Sequence, residues 1–83
     1  MNVGPTVLGL LNKNQIVHHK DFFSTVGLTE VMPIALLTEN ALTKTFQQHY
    51  GTDPVLGDMV KMQAMLKECK LIQKGREIGR AHV

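Results

Sequence analysis

The sequence has a single cysteine, a modest share of charged residues and no long apolar run. Cys69 has no second thiol in the chain, so an internal disulfide is excluded and a buried, reduced thiol is expected. The longest apolar stretch, residues 31–37, is interrupted by Pro33 and is far shorter than a bilayer span. The N-terminus lacks the basic and apolar segments of a signal peptide. We therefore expect a cytoplasmic protein with no membrane partner.

Specific catalytic and metal-binding motifs are also missing. No Gly-rich phosphate loop is present, and neither zinc-finger spacing nor an HExxH motif relates the possible ligands. These ligands are His18, His19, Asp21, His49, Cys69 and His82. If their segment is extended, the adjacent histidines point to opposite sides. A cysteine on an apolar helix face is also usually inert. Because no specific motif is present, we predict no enzymatic activity, no metal site and no cofactor.

The chain length limits the architecture. Eighty-three residues, 43% of them hydrophobic, indicate one small globular domain covering residues 1–83. A chain this short buries a modest core, so dimerisation would supply apolar burial that a monomer lacks. The sequence contains no internal repeat, no low-complexity segment and no linker that would indicate a second domain.

Charge is distributed unevenly along the chain. The formal net charge is +2, but residues 61–83 carry +4 and residues 1–60 carry −2. A basic end on a slightly acidic body suggests an anionic partner for that end. Solvated helix ends can carry as many lysines without any partner, so the charge alone does not decide the function.

Turn-forming residues divide the N-terminal part into short segments. Pro5 can begin a first helix, and residues 12–14 provide its end. Residues 15–18 read as a short strand or an extended link. Asp21 is a capping candidate for the next helix, and Gly27 lies where that helix should stop.

Two longer helices are predicted in the second half. Pro33 marks the start of the first and Gly51 its end, and its apolar stripe consists of Ile34, Leu37, Ala41, Leu42, Phe46 and Tyr50. Asp53 and Pro54 are typical of a helix cap and first helical position. The stripe of this second helix recurs at steps of four and three, and consists of Val55, Met59, Met62, Leu66 and Cys69. Such a stripe packs either into the core or against a partner helix.

After Cys69 the pattern changes. Residues 71–73 are apolar and partly β-branched, residues 74–76 resemble a tight turn, and residues 77–83 alternate. We predict a β-hairpin here, although a helix continuing to about Arg80 with Gly75 and Gly79 as interruptions is the alternative. The expected fold class is mainly α, with three to four helices and a possible C-terminal β-hairpin in a winged-helix-like arrangement.

The segment LKECKLI at residues 66–72, followed by KGRE at residues 74–77, resembles phage excisionases and related small winged-helix proteins. The resemblance covers about a dozen residues. It implies a recognition helix at about residues 53–70 and a wing at about residues 71–83. It also implies a DNA-binding role of the kind found in mobile elements.

Two functions follow from these patterns. The first is a small DNA-binding regulatory protein that uses a helix-turn-helix and a basic C-terminal hairpin. Its phosphate contacts would be Lys67, Lys70, Lys74, Arg76 and Arg80, with Lys61 toward the groove. The alternative is a helical protein-interaction module or homodimer with no nucleic-acid role. Its interface would consist of Met59, Met62, Met65 and Leu66.

Overall fold

The computed structural model describes the backbone of residues 2–81 and the side chains of residues 2–76. This part of the chain forms five α-helices around one apolar core, which confirms the predicted mainly helical fold. None of these helices combines the length and apolarity needed to cross a bilayer. The helices are α1 (Pro5–Lys13), α2 (Lys20–Thr25), α3 (Val31–Ala35), α4 (Glu39–Tyr50) and α5 (Leu56–Ala81).

α1 begins at Pro5, as the sequence predicts, because a proline in the first turn has no intrahelical N–H bond to lose. Its buried side chains are Val7, Leu10 and Leu11. Beyond α1, Gln15 adopts a φ of 60° and Ile16 is buried, and the chain then forms a 3-10 turn at Val17–His19. The strand or extended link predicted for residues 15–18 is therefore wrong.

The short helix α2 follows the 3-10 turn without a break. Asp21 lies in its first turn and does not cap it, because helical backbone already begins at Lys20. Phe22 and Phe23 are buried and their rings pack edge to face, with centroids 5.1 Å apart. Gly27, with a φ of 83°, follows the end of the helix in the left-handed conformation that favours glycine.

The predicted central helix is divided into α3 and α4. Pro33 lies inside the five-residue α3 and does not begin a long helix. The chain then leaves helical geometry, and Thr38 caps α4 by accepting a 3.0 Å hydrogen bond from the Ala41 N–H at Oγ1. Gly51 adopts a φ of 72° and ends α4, as predicted.

α5 differs most from the sequence-based prediction. It begins at Leu56, so Asp53 does not cap it and instead accepts a hydrogen bond from the Gln47 side chain. It continues to Ala81, and no β-strand occurs between residues 2 and 81. The predicted hairpin, and with it the winged-helix arrangement, is therefore not found. The residues predicted to form the end of that hairpin, 82–83, lie outside the described residues.

The core lies between α5 and the four preceding helices. α3 packs most extensively against α5, and Lys70 of α5 secures the end of α3 by donating to the Ala35 and Leu37 carbonyls at 2.7 Å each. From α5 the core receives Met62, Met65, Leu66 and Cys69, with Ile72 packed beside them. From the other helices its largest buried side chains are Leu11, Ile16, Phe22, Phe23 and Ile34.

Candidate interaction surface on the last helix

One side of α5 is left uncovered and carries large apolar side chains. Leu56, Val60 and Leu71 are 76%, 56% and 69% exposed. Steps of 4 and 11 residues correspond to about one and three helical turns, so the three side chains share one side of the helix. Ala64, Lys67 and Lys74 lie on the same side and are exposed. We call these six residues the open face.

The opposite side of α5 faces the core. Of the four residues predicted to form a protein interface, Met62, Met65 and Leu66 are at most 3% exposed and pack inside the chain. The fourth, Met59, is half-buried and lines a narrow crevice between α4 and α5. These four predicted interface residues, which we call the methionine stripe, thus belong largely to the core in this structure. The exposed apolar surface lies on the other side of the same helix.

The charges on the open face have one sign. Its two charged residues are Lys67 and Lys74, both exposed. The acidic residue next to Lys67, Glu68, accepts a 2.9 Å hydrogen bond from Lys13 and a 3.2 Å bond from Asn14. The Lys13 ammonium group in particular keeps the pKa of Glu68 below its usual range. The open face therefore combines apolar surface with positive charge.

The other predicted phosphate contacts do not form one surface. Lys70 binds two carbonyls of the α3 end, and Lys61 is half-buried. Arg76 is exposed, but it lies nine residues beyond Lys67, or about two and a half turns, and so on the opposite side of α5. The Arg80 side chain lies outside the described residues. Among the described side chains, only Lys67 and Lys74 of the predicted set share one exposed face.

A polar cluster forms where the 3-10 turn meets the first turn of α5. His19 is buried; its Nε2 lies 2.8 Å from the Asp58 carboxylate and its Nδ1 lies 2.9 Å from the Tyr50 hydroxyl. His18 Nε2 lies 3.5 Å from the same Asp58 oxygen. The two histidines therefore reach one carboxylate, and the divergence expected for an extended segment does not occur. The reason is the 3-10 turn, which replaces the extended backbone that the prediction assumed.

This geometry shifts the pKa values of Asp58 and Tyr50. Hydrogen bonding to His19 is the main cause that keeps the pKa of Asp58 below its ordinary value of 3.8. Burial, with added repulsion from the charges of Asp21 and Asp58, raises the pKa of Tyr50 above 10.0. Tyr50 is therefore a neutral phenol at physiological pH, able either to donate or to accept a hydrogen bond.

Cys69 lies fully buried on the core side of α5 as a free thiol, as the sequence predicts. Burial, with a smaller effect from the nearby Glu68 charge, raises the pKa of the thiol to about 11. The nucleophilic form is thus scarce at neutral pH, which agrees with the expectation of an inert cysteine.

No protein-family model, curated protein or solved structure matches the chain. The candidate surface is consequently defined by geometry. A helical projection of residues 56–74 would have shown a second apolar side at Leu56, Val60 and Leu71. The more regular methionine stripe masked that signal, because it accounts for the core without reference to the other side.

Proposed function

We propose that this protein is a helical protein-interaction module, and that the open face of α5 binds an acidic amphipathic helix of a partner protein. The observation that carries this proposal is the exposure of Leu56, Val60 and Leu71 along one side of a helix whose other side is buried. Scattered apolar residues are normal on a surface, but a continuous apolar strip is typical of a binding site.

The spacing of the open face favours a helical partner. Five of its residues follow one another at steps of four, three, four and three, which is the spacing of a coiled-coil seam. These residues are Val60, Ala64, Lys67, Leu71 and Lys74. A small residue such as Ala64 on this seam leaves room for a partner helix to approach closely, and Val60 and Leu71 supply the apolar contacts of the seam.

The charges of the open face favour an acidic partner. Lys67 and Lys74 are seven residues apart, so both occupy the same heptad position. A partner helix with glutamate or aspartate at every seventh residue would place a carboxylate against each lysine. A second copy of this chain, paired through the same face, would bring lysines and no acidic residue. Charge therefore disfavours a homodimer through this face.

Binding of designed peptides tests the proposal. The probe is a synthetic heptad-repeat peptide with leucine and glutamate at its two seam positions, and the comparison peptide has lysine in place of each glutamate. We expect calorimetric binding of the acidic peptide alone. Leu71→Asp should abolish that binding, because it places a charge in the apolar centre of the face, while circular dichroism shows an unchanged fold.

A charge-reversal pair provides the matched control. Lys67→Glu should weaken the affinity for the acidic peptide by roughly tenfold, equivalent to about 1.4 kcal/mol. Lys44→Glu makes the same change in net charge at an exposed position on α4 and should leave the affinity unchanged. Equal losses in the two variants would mean that net charge, and not the open face, determines binding. Self-association of the unaltered chain that Leu71→Asp removes would mean that the occupant is a second copy.

Nucleic-acid binding is the second candidate, supported by the net charge of +4 in residues 61–83. Without a wing, its contacts on one exposed face would be Lys67 and Lys74. About two phosphate contacts give a log–log salt slope near −2 for duplex DNA. Leu71→Asp separates the two candidates, since phosphate contacts do not require a leucine and peptide binding does. If Leu71→Asp leaves DNA binding unchanged and the unaltered chain binds no acidic peptide, this second function is favoured.

A further inference from the structure

The cluster of His18, His19 and Asp58 lies where the 3-10 turn meets the first turn of α5. It combines two imidazole nitrogens and one carboxylate oxygen, all within 4.8 Å of one another. The geometry points to a binding site for a divalent transition-metal ion of the zinc type, with these three residues as its ligands. This inference is independent of the proposed function, because none of the three residues belongs to the open face.

The two distances to Asp58 are close to those around such an ion, and the ligand atoms of all three residues lie within 4.8 Å of one another. Ligands about 2.0–2.1 Å from a tetrahedral zinc ion lie roughly 3.3 Å from one another. His18 Nε2 and the Asp58 oxygen are 3.5 Å apart, which already agrees with that value. His19 Nε2 is 2.8 Å from the same oxygen, so this pair must separate by a few tenths of an ångström. Rotation of the Asp58 carboxylate can supply that movement.

Tyr50 can form a hydrogen bond with His19 both without and with a bound metal ion. Without metal, the ionised Asp58 carboxylate can only accept a hydrogen bond, so Nε2–H of His19 donates to it; Nδ1 of the neutral ring then accepts from the Tyr50 hydroxyl, 2.9 Å away. With metal on Nε2, the imidazole proton resides on Nδ1 and is donated to the Tyr50 oxygen instead. A hydroxyl can exchange these roles without moving, so His19 keeps its hydrogen bond to Tyr50, while the metal replaces its hydrogen bond to Asp58. Metal-bound histidines usually have such a partner on their other nitrogen.

Access and ligand chemistry select the type of ion. The His18 side chain is 58% exposed, whereas those of His19 and Asp58 are 10% and 22% exposed, so the ion can enter from the His18 side. Two imidazoles and one carboxylate suit zinc, cobalt, nickel or copper better than magnesium or calcium, which prefer oxygen ligands. Three protein ligands leave one tetrahedral position for water or an exogenous ligand.

Titration with Co²⁺ tests the site, because cobalt substitutes for zinc and its visible spectrum reports tetrahedral coordination. We expect one ion per chain, displaced by Zn²⁺, and a thermal midpoint that rises with Zn²⁺ concentration. His18→Ala removes the most exposed ligand and should not disturb the fold. It should weaken the affinity by roughly 100-fold or more, since changes beyond the direct ligands already cost about 10- to 100-fold.

His49→Ala is the matched control, because His49 is an exposed histidine outside the cluster. It should retain the cobalt spectrum and the zinc-dependent thermal shift. Asp58→Asn should lose both, while circular dichroism verifies that it is folded. The inference is overturned if the unaltered chain binds no Co²⁺. It is equally overturned if His18→Ala binds as tightly as the unaltered chain, or if His49→Ala loses as much affinity as His18→Ala.

Discussion

His19 links three parts of the fold through one buried ring. It belongs to the 3-10 turn, and it reaches Asp58 at the start of α5 and Tyr50 at the end of α4. Its ring also packs edge to face against Phe46, with centroids 5.4 Å apart. The fold can bury this polar side chain because both ring nitrogens have hydrogen-bond partners.

Asp58 should make stability depend on pH. Its pKa is lower in the folded chain than its ordinary value of 3.8, so it contributes stability above that value. The contribution is lost as the pH falls through the lowered pKa of the folded state. Asp58→Asn should therefore destabilise the protein by about 1 kcal/mol at pH 7, and by much less at pH 2–3. Urea unfolding at both pH values measures this, and an equal difference at the two would contradict it.

Cys69 should react only when the protein opens. Its thiol is fully buried, and with a pKa of about 11 it remains protonated at neutral pH. Labelling by an aromatic disulfide reagent should be slow in the native state and fast in denaturant. Cys69→Ala should cost about 1 kcal/mol, because it removes one small buried group. Immediate labelling of the native protein would show that the core side of α5 is exposed in solution.

The histidine cluster could not be predicted from the sequence. Whether two adjacent side chains diverge or converge depends on the backbone between them, and the positive φ of Gln15 that leads into the 3-10 turn has no marker in the sequence. Asp58 is distant in sequence and meets the histidines only after α5 packs. Burial of Cys69, in contrast, follows from its spacing relative to Met62 and Leu66 and was predictable.

At the scale of single helices, one proline and one glycine signal were correct, whereas both predicted aspartate caps, Asp21 and Asp53, were wrong. Pro5 and Gly51 mark the ends of α1 and α4 where predicted, because each residue has a backbone preference that acts locally. The hairpin prediction failed because local preference yields to packing. Ile72, three residues after the buried Cys69, reaches the core only if the helix continues. Gly75 costs about 1 kcal/mol in a helix, which that continuation can tolerate.

Lys70 should behave differently from the other lysines of α5. Its ammonium group binds the Ala35 and Leu37 carbonyls and so holds the end of α3 against α5. Lys70→Met should destabilise the fold by about 1 kcal/mol, because hydrogen bonds from a charged donor are lost. Lys74→Met, at an exposed position with no comparable contact among the side chains of residues 2–76, should change stability by less than about 0.5 kcal/mol. Thermal unfolding of the two variants checks this, and equal midpoints would contradict it.

At the scale of the molecule, α5 separates a core side from an open side. The periodicity of the methionine stripe predicted which side is apolar, but could not tell an internal core from a partner interface. Only the packing of the preceding helices on α5 decides that, since Met62 and Met65 are buried while Leu56 and Leu71 stay uncovered. Both apolar sides of α5 are present in the sequence, and the tertiary structure places one in the core and leaves the other exposed to solvent.

Two aspartate substitutions distinguish the sides. Leu66 is 1% exposed, so Leu66→Asp buries an unpaired charge and should leave little folded protein at 25 °C, with a loss of about 4 kcal/mol or more. Val60 is 56% exposed, and Val60→Asp should stay within about 0.5 kcal/mol of the unaltered chain. Circular dichroism melts report both values. A folded Leu66→Asp variant would mean that the methionine stripe is a separable interface and not the core.

The most direct test of the central claim is an amide ¹H–¹⁵N NMR titration of the full chain with the acidic heptad peptide. Binding at the open face should shift the amide signals of Val60, Ala64 and Leu71, and leave those of α1 and α2 near their starting positions. The amide signal of Lys67, the exposed lysine of the same face, should shift with them. Shifts confined to α1 and α2, or no shift at millimolar peptide, would contradict the account of α5 as a docking helix.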